Sequence, residues 1–485
     1  MRAVFKSSPL GLLGASAAAG LGIYFSDYPF HLPALQWFAL APLLYFLLAG
    51  GQRVRWTALA GALYGGLTGL MAVHLNAGPL GAAVMILYQA VWGVILLVGF
   101  HALYTLSGRG PLAALLFPLL VVITDSLSQR IFMMWGTAQS FSRVQSACPF
   151  IIQVAALAGQ AGVAFLVAHA NLFIAGLGAF ARERKKLLVH GLVFAAFAGG
   201  ALGYDAVSWF GAAPGKTIRV AAAGWAAPGP GTASWQDKLP ALERLIGESD
   251  RGFRIIVYPE VAFWIDRGEM PSFRTALASI STKHGIWQFA GYFDGDKKMN
   301  GILAAGPDGN VRTLYTKTHL IKFVEHYRPG SGAVGTVEVD GLIVGGLVCQ
   351  DDNFQDIARA NALAGARIAA LPTNDWKAVK DYHAENLIYR AVENRMALVR
   401  AASGGISMIV DGRGKILARR DPFEDSRGGG PALIAAEVPL LPHRSPFTAA
   451  GRLFEWLCAA AALAIIAVTT MRRKVRPRPS PLAEN

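Results

Sequence analysis

A thiol, a carboxylate and an ammonium each close an apolar run of this chain. Cys349 ends Gly341-Leu-Ile-Val-Gly-Gly-Leu-Val348, Glu260 ends Arg254-Ile-Ile-Val-Tyr-Pro259, and Lys317 ends Val311-Arg-Thr-Leu-Tyr-Thr316. A thiol attacks as thiolate, so a neighbour must take its proton or lower its pKa. Glu260, leaving water behind Pro259, is suited to a general base because burial lifts a carboxylate toward the working range. Lys317 can hold the thiolate and face the oxyanion of a tetrahedral intermediate, where a fixed charge lowers the barrier. Singly, each residue also has an ordinary reading: a strand-end acid, a solvated lysine, a small core residue. At three run ends of one region, the trio points to nucleophilic acyl transfer. Of the other two cysteines, Cys458 lies in an apolar helix and Cys148 in a short loop. No CxxC or Cys/His spacing occurs, so no metal or cofactor is expected.

The region that must position these groups runs from Gly211 to about Ser445. Its apolar runs are four to eight residues long and are separated by turn signals such as Gly306-Pro-Asp-Gly309 and Asp411-Gly-Arg-Gly414. The patterns predict strands at 217–223, 255–258, 285–292, 302–305, 311–315, 342–348, 368–371, 397–401, 408–410 and 432–437. Helices are predicted at 235–249, 272–283, 354–364 and 382–394. Strands alternating with helices give a layered α/β domain large enough to bury its own core.

Around this island the chain is a membrane protein by composition. Of 485 residues, 53% are hydrophobic and 16% charged, well below the roughly 25% charged of soluble domains. Apolar segments near 10–25, 34–49, 57–75, 80–106, 112–124, 159–180, 187–202 and 454–470 predict eight spans, seven before the island and one after it. The formal net charge of +14 is concentrated beside these segments, where it orients helices, and does not indicate nucleic acid. Arg2 and Lys6, Arg53 and Arg55, Arg109, Arg182 to Lys186, and the tail Arg472 to Arg478 all fall on one side of eight spans. Both termini are therefore expected in the cytoplasm, and the island outside the inner membrane, in the periplasm. The loop 125–148, with Arg130 and Arg143, fits less well. A signal peptide cleaved after Ala15-Ser-Ala17 is the alternative for the first segment; the apolar run continues past that site to Phe25, which favours a retained helix. The expected division is 1–210 membrane domain, 211–445 catalytic domain, and 446–485 closing span and basic tail.

Tyr258-Pro-Glu-Val-Ala-Phe263, Tyr315-Thr-Lys-Thr-His-Leu320, Leu347-Val-Cys-Gln-Asp351, and Arg390-Ala-Val-Glu-Asn-Arg395 followed by Arg400-Ala-Ala-Ser-Gly-Gly-Ile-Ser407 resemble the carbon–nitrogen hydrolase (nitrilase) superfamily. With the membrane frame, nearly the whole chain is similar to its apolipoprotein N-acyltransferase family. The resemblance implies a four-layer αββα domain, with Glu260 as general base, Lys317 as transition-state stabiliser and Cys349 as the thiol that becomes a thioester. It implies ping-pong transfer of an acyl chain from a phospholipid to the N-terminal amine of a diacylated apolipoprotein. It also implies supporting roles for Glu325 and Asp351, and substrate contacts at Trp235 and Gln350. The family usually carries an aromatic residue and a glutamate after the nucleophile, where this chain has Gln350-Asp351. The loop 125–146 lacks the family's Phe-Pro-Trp texture. Phe263, Trp264 and Phe323 are candidates for a lipid-facing surface. A membrane-tethered amidase, with water as acceptor, is the alternative, and a non-enzymatic membrane scaffold a third reading. Nothing in the sequence asks for a second copy, so a monomer is expected.

Overall fold

The computed structural model describes residues 8–75, 78–131, 135–211, 215–227, 234–249, 252–426 and 428–475. Arg2, Lys6, the turn 228–231 and the tail from Arg476 lie outside the described residues. The chain divides into two compact units. One comprises Met1–Ile131, Ala161–Gly203 and Arg452–Asn485, and the other Phe132–Gln160 and Tyr204–Gly451.

Among the described residues, seven helices are long and apolar enough to cross a membrane. They are Pro9–Ser26, Val54–Leu75, Gly78–Leu106, Pro111–Ile131, Ala155–Ala179, Arg184–Phe210 and Leu453–Met471. The expected eighth, near 34–49, departs from the prediction. It forms a 3-10 turn, Pro33–Trp37, and a nine-residue helix, Ala41–Ala49. Pro33 and Pro42 each stand in a first turn, where proline is tolerated. The backbone between the two pieces is irregular, and together they fall short of the roughly 20 residues of a usual span.

The second unit holds two sheets. The first has the order β13-β1-β2-β4-β5-β6, with β3 on β4; the second has the order β12-β11-β10-β9-β8-β7. The strands are β1 Lys216–Gly224, β2 Ile255–Val257, β3 Phe263–Ile265, β4 Trp287–Asp294, β5 Met299–Ala305, β6 Val311–Thr316, β7 Val337–Val339, β8 Leu342–Gly346, β9 Ile368–Asn374, β10 Ala397–Ser403, β11 Ser407–Val410, β12 Ile416–Arg420 and β13 Ala432–Leu440. The helices are α1 Trp235–Glu248, α2 Met270–His284, α3 Gln355–Leu363, α4 Lys380–Ala384 and α5 Asn386–Asn394. The centres are parallel (β1-β2-β4 and β8-β9-β10), and antiparallel strands close the edges. Three short strands (β3, β7 and β12) were not predicted, and the helix expected at 382–394 is two helices broken at Glu385.

Alternation along each strand builds the layers. In β1, Val220 and Ala222 enter the core shared with Val344, Ile368 and Val399 of the facing sheet. Ala221 and Ala223 turn the other way, toward Leu239, Leu242 and Ile246 of α1 and Phe273 of α2. Strands buried on both faces read as continuous apolar runs, as these do. α1 buries Trp235, Leu239, Leu242 and Ile246 at helical spacing, and Ser234 caps it by accepting from the Asp237 N–H. The unit is thus the αββα arrangement expected of the nitrilase-like fold.

Segment 135–160 belongs to this unit through specific bonds. Tyr382 donates to the Ala138 carbonyl at 2.6 Å and Tyr389 to that of Ser142 at 2.7 Å. The Gln160 N–H donates to Glu393 at 2.9 Å. Arg143 is buried, pairs with Glu385 and lies over the Tyr382 ring. The arginine that disturbed the loop-charge pattern is therefore a core ion pair of the second unit, not a group flanking a helix. Arg130 ends the helix Pro111–Ile131 and pairs with Glu455 at 3.3 Å.

Candidate active site

Glu260, Lys317 and Cys349 come together because the strands that carry them end on one edge of the facing sheets. Glu260 follows β2, Lys317 follows β6, and Cys349 follows β8. All three are buried, at 2%, 0% and 3% exposure. Gly291 of β4 permits the close approach beneath Glu260, since a Cβ there would lie 2.1 Å from the Pro259 carbonyl.

Lys317 donates to Glu260 Oε1 at 2.8 Å and to Glu325 Oε1 at 2.6 Å. Asn300 also donates to Glu260 Oε1, at 2.6 Å, and the Asn374 N–H donates to Oε2 at 2.9 Å. The Asn374 carbonyl lies 3.7 Å from Cys349 Sγ, so one residue at the end of β9 touches both the acid and the thiol. Burial works against the Lys317 charge, but Glu260, Cys349 and Glu325 outweigh it and hold the ammonium well above its ordinary pKa. Burial raises the Cys349 thiol well above its usual range and Glu260 adds to the rise, while Lys317 opposes it. Burial also raises Glu325, against the pull of Lys317. These shifts favour a neutral thiol beside a charged lysine, a state in which a thiol needs a base to take its proton before it can attack.

Cys349 has φ +46°, a left-handed conformation that throws the side chain out of a tight turn. Asp351 pins that turn. Its Oδ2 accepts from the Val348 N–H at 3.1 Å, and Oδ1 from the His319 N–H at 2.8 Å and Nδ1 at 2.9 Å. His319 stacks on Phe354 at 4.0 Å. Burial opposes its charge, but Asp351 and Asp356 hold its pKa up at about 9.

A pocket opens at the thiol, lined by Trp135, Ile321, Trp376, Val379 and Tyr382 and by the polar side chains of Gln350, Asn353, Asn374, Asp375 and His383. Trp135 reaches it because Gly136, at φ +48°, packs where a Cβ would lie 2.2 Å from the Asn353 carbonyl. Thr137 donates to that same oxygen at 2.9 Å.

A family model described as carbon–nitrogen hydrolase matches residues 219–440, and one described as apolipoprotein N-acyltransferase N-terminal domain matches residues 19–173. The apolipoprotein N-acyltransferase of Geobacter metallireducens is 28% identical over 277 residues, 50% of this chain and 51% of that protein. The chain belongs to the apolipoprotein N-acyltransferase branch of the carbon–nitrogen hydrolase superfamily. The putative protein YbeM of Escherichia coli K12 is 33% identical over 147 residues, 28% of this chain and 76% of that protein. An amidase structure from Nesterenkonia sp. matches with a TM-score of 0.38 and 23% identity, over 46% of this chain and 90% of that one. The chain covers 51%, 36% and 35% of three apolipoprotein N-acyltransferase relatives, so it spans between about a third and about half of their length.

The remaining predicted residues of this superfamily member fall in different places. Glu325 and Asp351 adjoin the trio, and Gln350 lines the cavity. Trp235 does not: its indole packs on Phe273 and donates to Glu269 at 2.8 Å. Phe263 is buried, Trp264 stacks on Phe293, and Phe323 is exposed. Sequence reasoning missed Asn300, Asn374, Trp135 and a buried charged group around His383. Asn374-Asp375 follows an apolar run just as Glu260 and Cys349 do, so the run-end signal would have found them.

Proposed function

We propose that this protein is an N-acyltransferase that moves an acyl chain from a phospholipid through a Cys349 thioester to the N-terminal amine of a diacylated apolipoprotein. The observation that carries the reading is a buried acid–lysine–thiol group whose thiol lines a pocket together with Trp135, Ile321, Trp376 and Val379. Apolar walls suit a fatty chain better than a small polar amide.

In this reading, Glu260 takes the Cys349 proton as sulfur attacks the donor ester carbonyl. Lys317 faces the oxyanion, and Glu325 holds Lys317. Collapse breaks the ester C–O bond, and the proton on Glu260 passes to the departing alkoxide, leaving lysophospholipid and thioester. The acceptor amine then attacks the thioester carbonyl and loses a proton to Glu260. The C–S bond breaks, the thiolate regains its proton, and an amide is released. Asp351, through the Val348 and His319 bonds, supports the nucleophile's turn; Gln350 lies where it can touch the donor.

The domain boundaries proposed are 1–210, from which segment 135–160 joins the catalytic unit, 211–445 and 446–485, with a monomer in the inner membrane. Both termini face the cytoplasm and the catalytic domain faces the periplasm. The seven long helices alone would put the termini on opposite sides, so this topology needs the shorter apolar segment Pro33–Ala49 to complete an eighth crossing. The placement of 135–160 and 204–451 in one compact unit supports an even number of crossings between those two segments, and Ala155–Ala179 and Arg184–Phe210 supply two.

The test is a chase. Acylated protein is offered a diacylated lipopeptide with a free or an acetylated amine. Discharge as an amide on the free amine alone supports the reading. Equal discharge by water in both supports an amidase instead.

A further inference from the structure

Beside Cys349 lies a buried group of four charges that the reaction scheme leaves unused. His383 of α4 places Nδ1 2.7 Å from Asp375 Oδ1 and Nε2 2.9 Å from Asp352 Oδ1. Arg400 of β10 spans the same acids, with Nη2 2.5 Å from Asp375 Oδ2 and Nη1 3.3 Å from Asp352 Oδ2. None of the four side chains is more than 8% exposed.

A neutral imidazole has one N–H and one lone pair, and a lone pair aimed at a carboxylate oxygen is repelled. Arg400 Nη2 also lies 3.3 Å from Nδ1, but with a carboxylate oxygen within 3 Å of each nitrogen the doubly protonated ring is the favoured form. Burial opposes that charge, but Asp352 and Asp375 outweigh it and hold the pKa at about 9. Two cations thus balance two anions. The groups facing the ring are Asp352, Asp375, Arg400 and Cys349. His383, Asp375 and Cys349 have donor atoms within 4.8 Å of one another, an array that can suggest a metal ion. Both ring nitrogens and both Asp375 oxygens already face charged partners, so a metal would have to break the balanced group.

The acids sit at informative places. Asp352 lies three residues beyond Cys349. Asp375 follows Asn374, whose N–H holds Glu260 and whose carbonyl adjoins Sγ. The group therefore ties together the two segments that align thiol and base.

We propose that His383 is a positioning residue for acylation: as an imidazolium joining Asp352 to Asp375, it locks the Cys349 turn against the end of β9 and cancels the negative charge beside the thiol. The inference rests on the reading of Cys349 as the nucleophile. Without His383, Arg400 faces two acids alone, a net negative charge stands by the sulfur, and the thiolate that must form is disfavoured.

The experiment measures single-turnover acylation of the full-length protein, in detergent, by fluorescent phosphatidylethanolamine between about pH 6 and pH 10. His383→Gln should lower the acylation rate constant about 100-fold while KM changes less than about threefold. Adding Asp352→Asn, which restores neutrality, should recover about tenfold or more. The wild-type rate should fall above about pH 9, and that fall should be shallower in His383→Gln, where His319 alone still titrates in this range. An unchanged rate in His383→Gln overturns the inference. So does a slow His383→Gln that Asp352→Asn fails to rescue, because a merely structural role does not respond to charge balance. If the single variant does not fold, the double variant decides: acylation near the wild-type rate supports charge balance, and inactivity despite a wild-type melting temperature overturns it. An acyl label on Cys349→Ala would overturn the nucleophile reading itself.

Discussion

Replacing Lys317 with methionine keeps most of the side chain's bulk and removes its charge. The ammonium lies 2.8 Å from Glu260 and 2.6 Å from Glu325, with side-chain exposures of 0%, 3% and 10%. Removing one member of a buried ion pair costs about 3–5 kcal/mol, because the partner stays buried and unpaired. Here two carboxylates are left facing each other. At about 2–4 °C per kcal/mol for a domain of this size class, the melting temperature should fall by roughly 6–20 °C. The rate should suffer separately. Losing one oxyanion-stabilising group costs about 100- to 1,000-fold, and Lys317 also fixes the base, so the loss should reach the upper end. Differential scanning fluorimetry reads the first effect, and initial acylation rates well below both melting points read the second. Adding Glu325→Gln removes one orphaned carboxylate and should recover much of the melting temperature but none of the rate. A Lys317→Met protein that melts within about a degree of wild type, or keeps more than about a third of its rate, would refute the reasoning.

Stability should also depend on pH in the weakly alkaline range. His319 is held up at about 9 from 6.5, so its contribution is complete below about 6.5 and is lost as pH rises through about 9. Melting temperatures should fall across that window, and less so in His319→Gln; equal slopes for both would contradict the assignment. Trp135→Ala should open the cavity wall and shift donor preference toward bulkier chains, seen by competing phospholipids of different chain length, while thiol alkylation of Cys349 stays within about twofold. Reporter fusions should read cytoplasmic at Arg184 and periplasmic at Gly428. A cytoplasmic signal at Gly428 would invert the topology.

The juxtaposition of Glu260, Lys317 and Cys349 was legible because each follows a buried apolar run, and parallel strands deliver their carboxyl ends to one edge. The same logic gave ten of the strands near their observed places. β3, β7 and β12 were missed because three to five residues between turns carry too little periodicity to stand out. The group around His383 escaped because its members, at 352, 375, 383 and 400, come from four different segments and meet only in the folded chain. Trp135 was read as part of a loop between spans, and nothing local says that Gly136 will tuck it against Asn353. Trp235 shows the converse: an aromatic residue opening a helix packs in that helix's own core. The segment 34–49 had the hydropathy of a span, but it forms a 3-10 turn opened by Pro33 and a separate nine-residue helix with Pro42 in its first turn.

The most direct test is the mass of the Cys349 peptide after incubation with a phospholipid bearing a labelled sn-1 chain. The account predicts one acyl chain on Cys349, released by hydroxylamine and absent from Cys349→Ala. Turnover without that adduct, or a label of the same yield in Cys349→Ala, would contradict it.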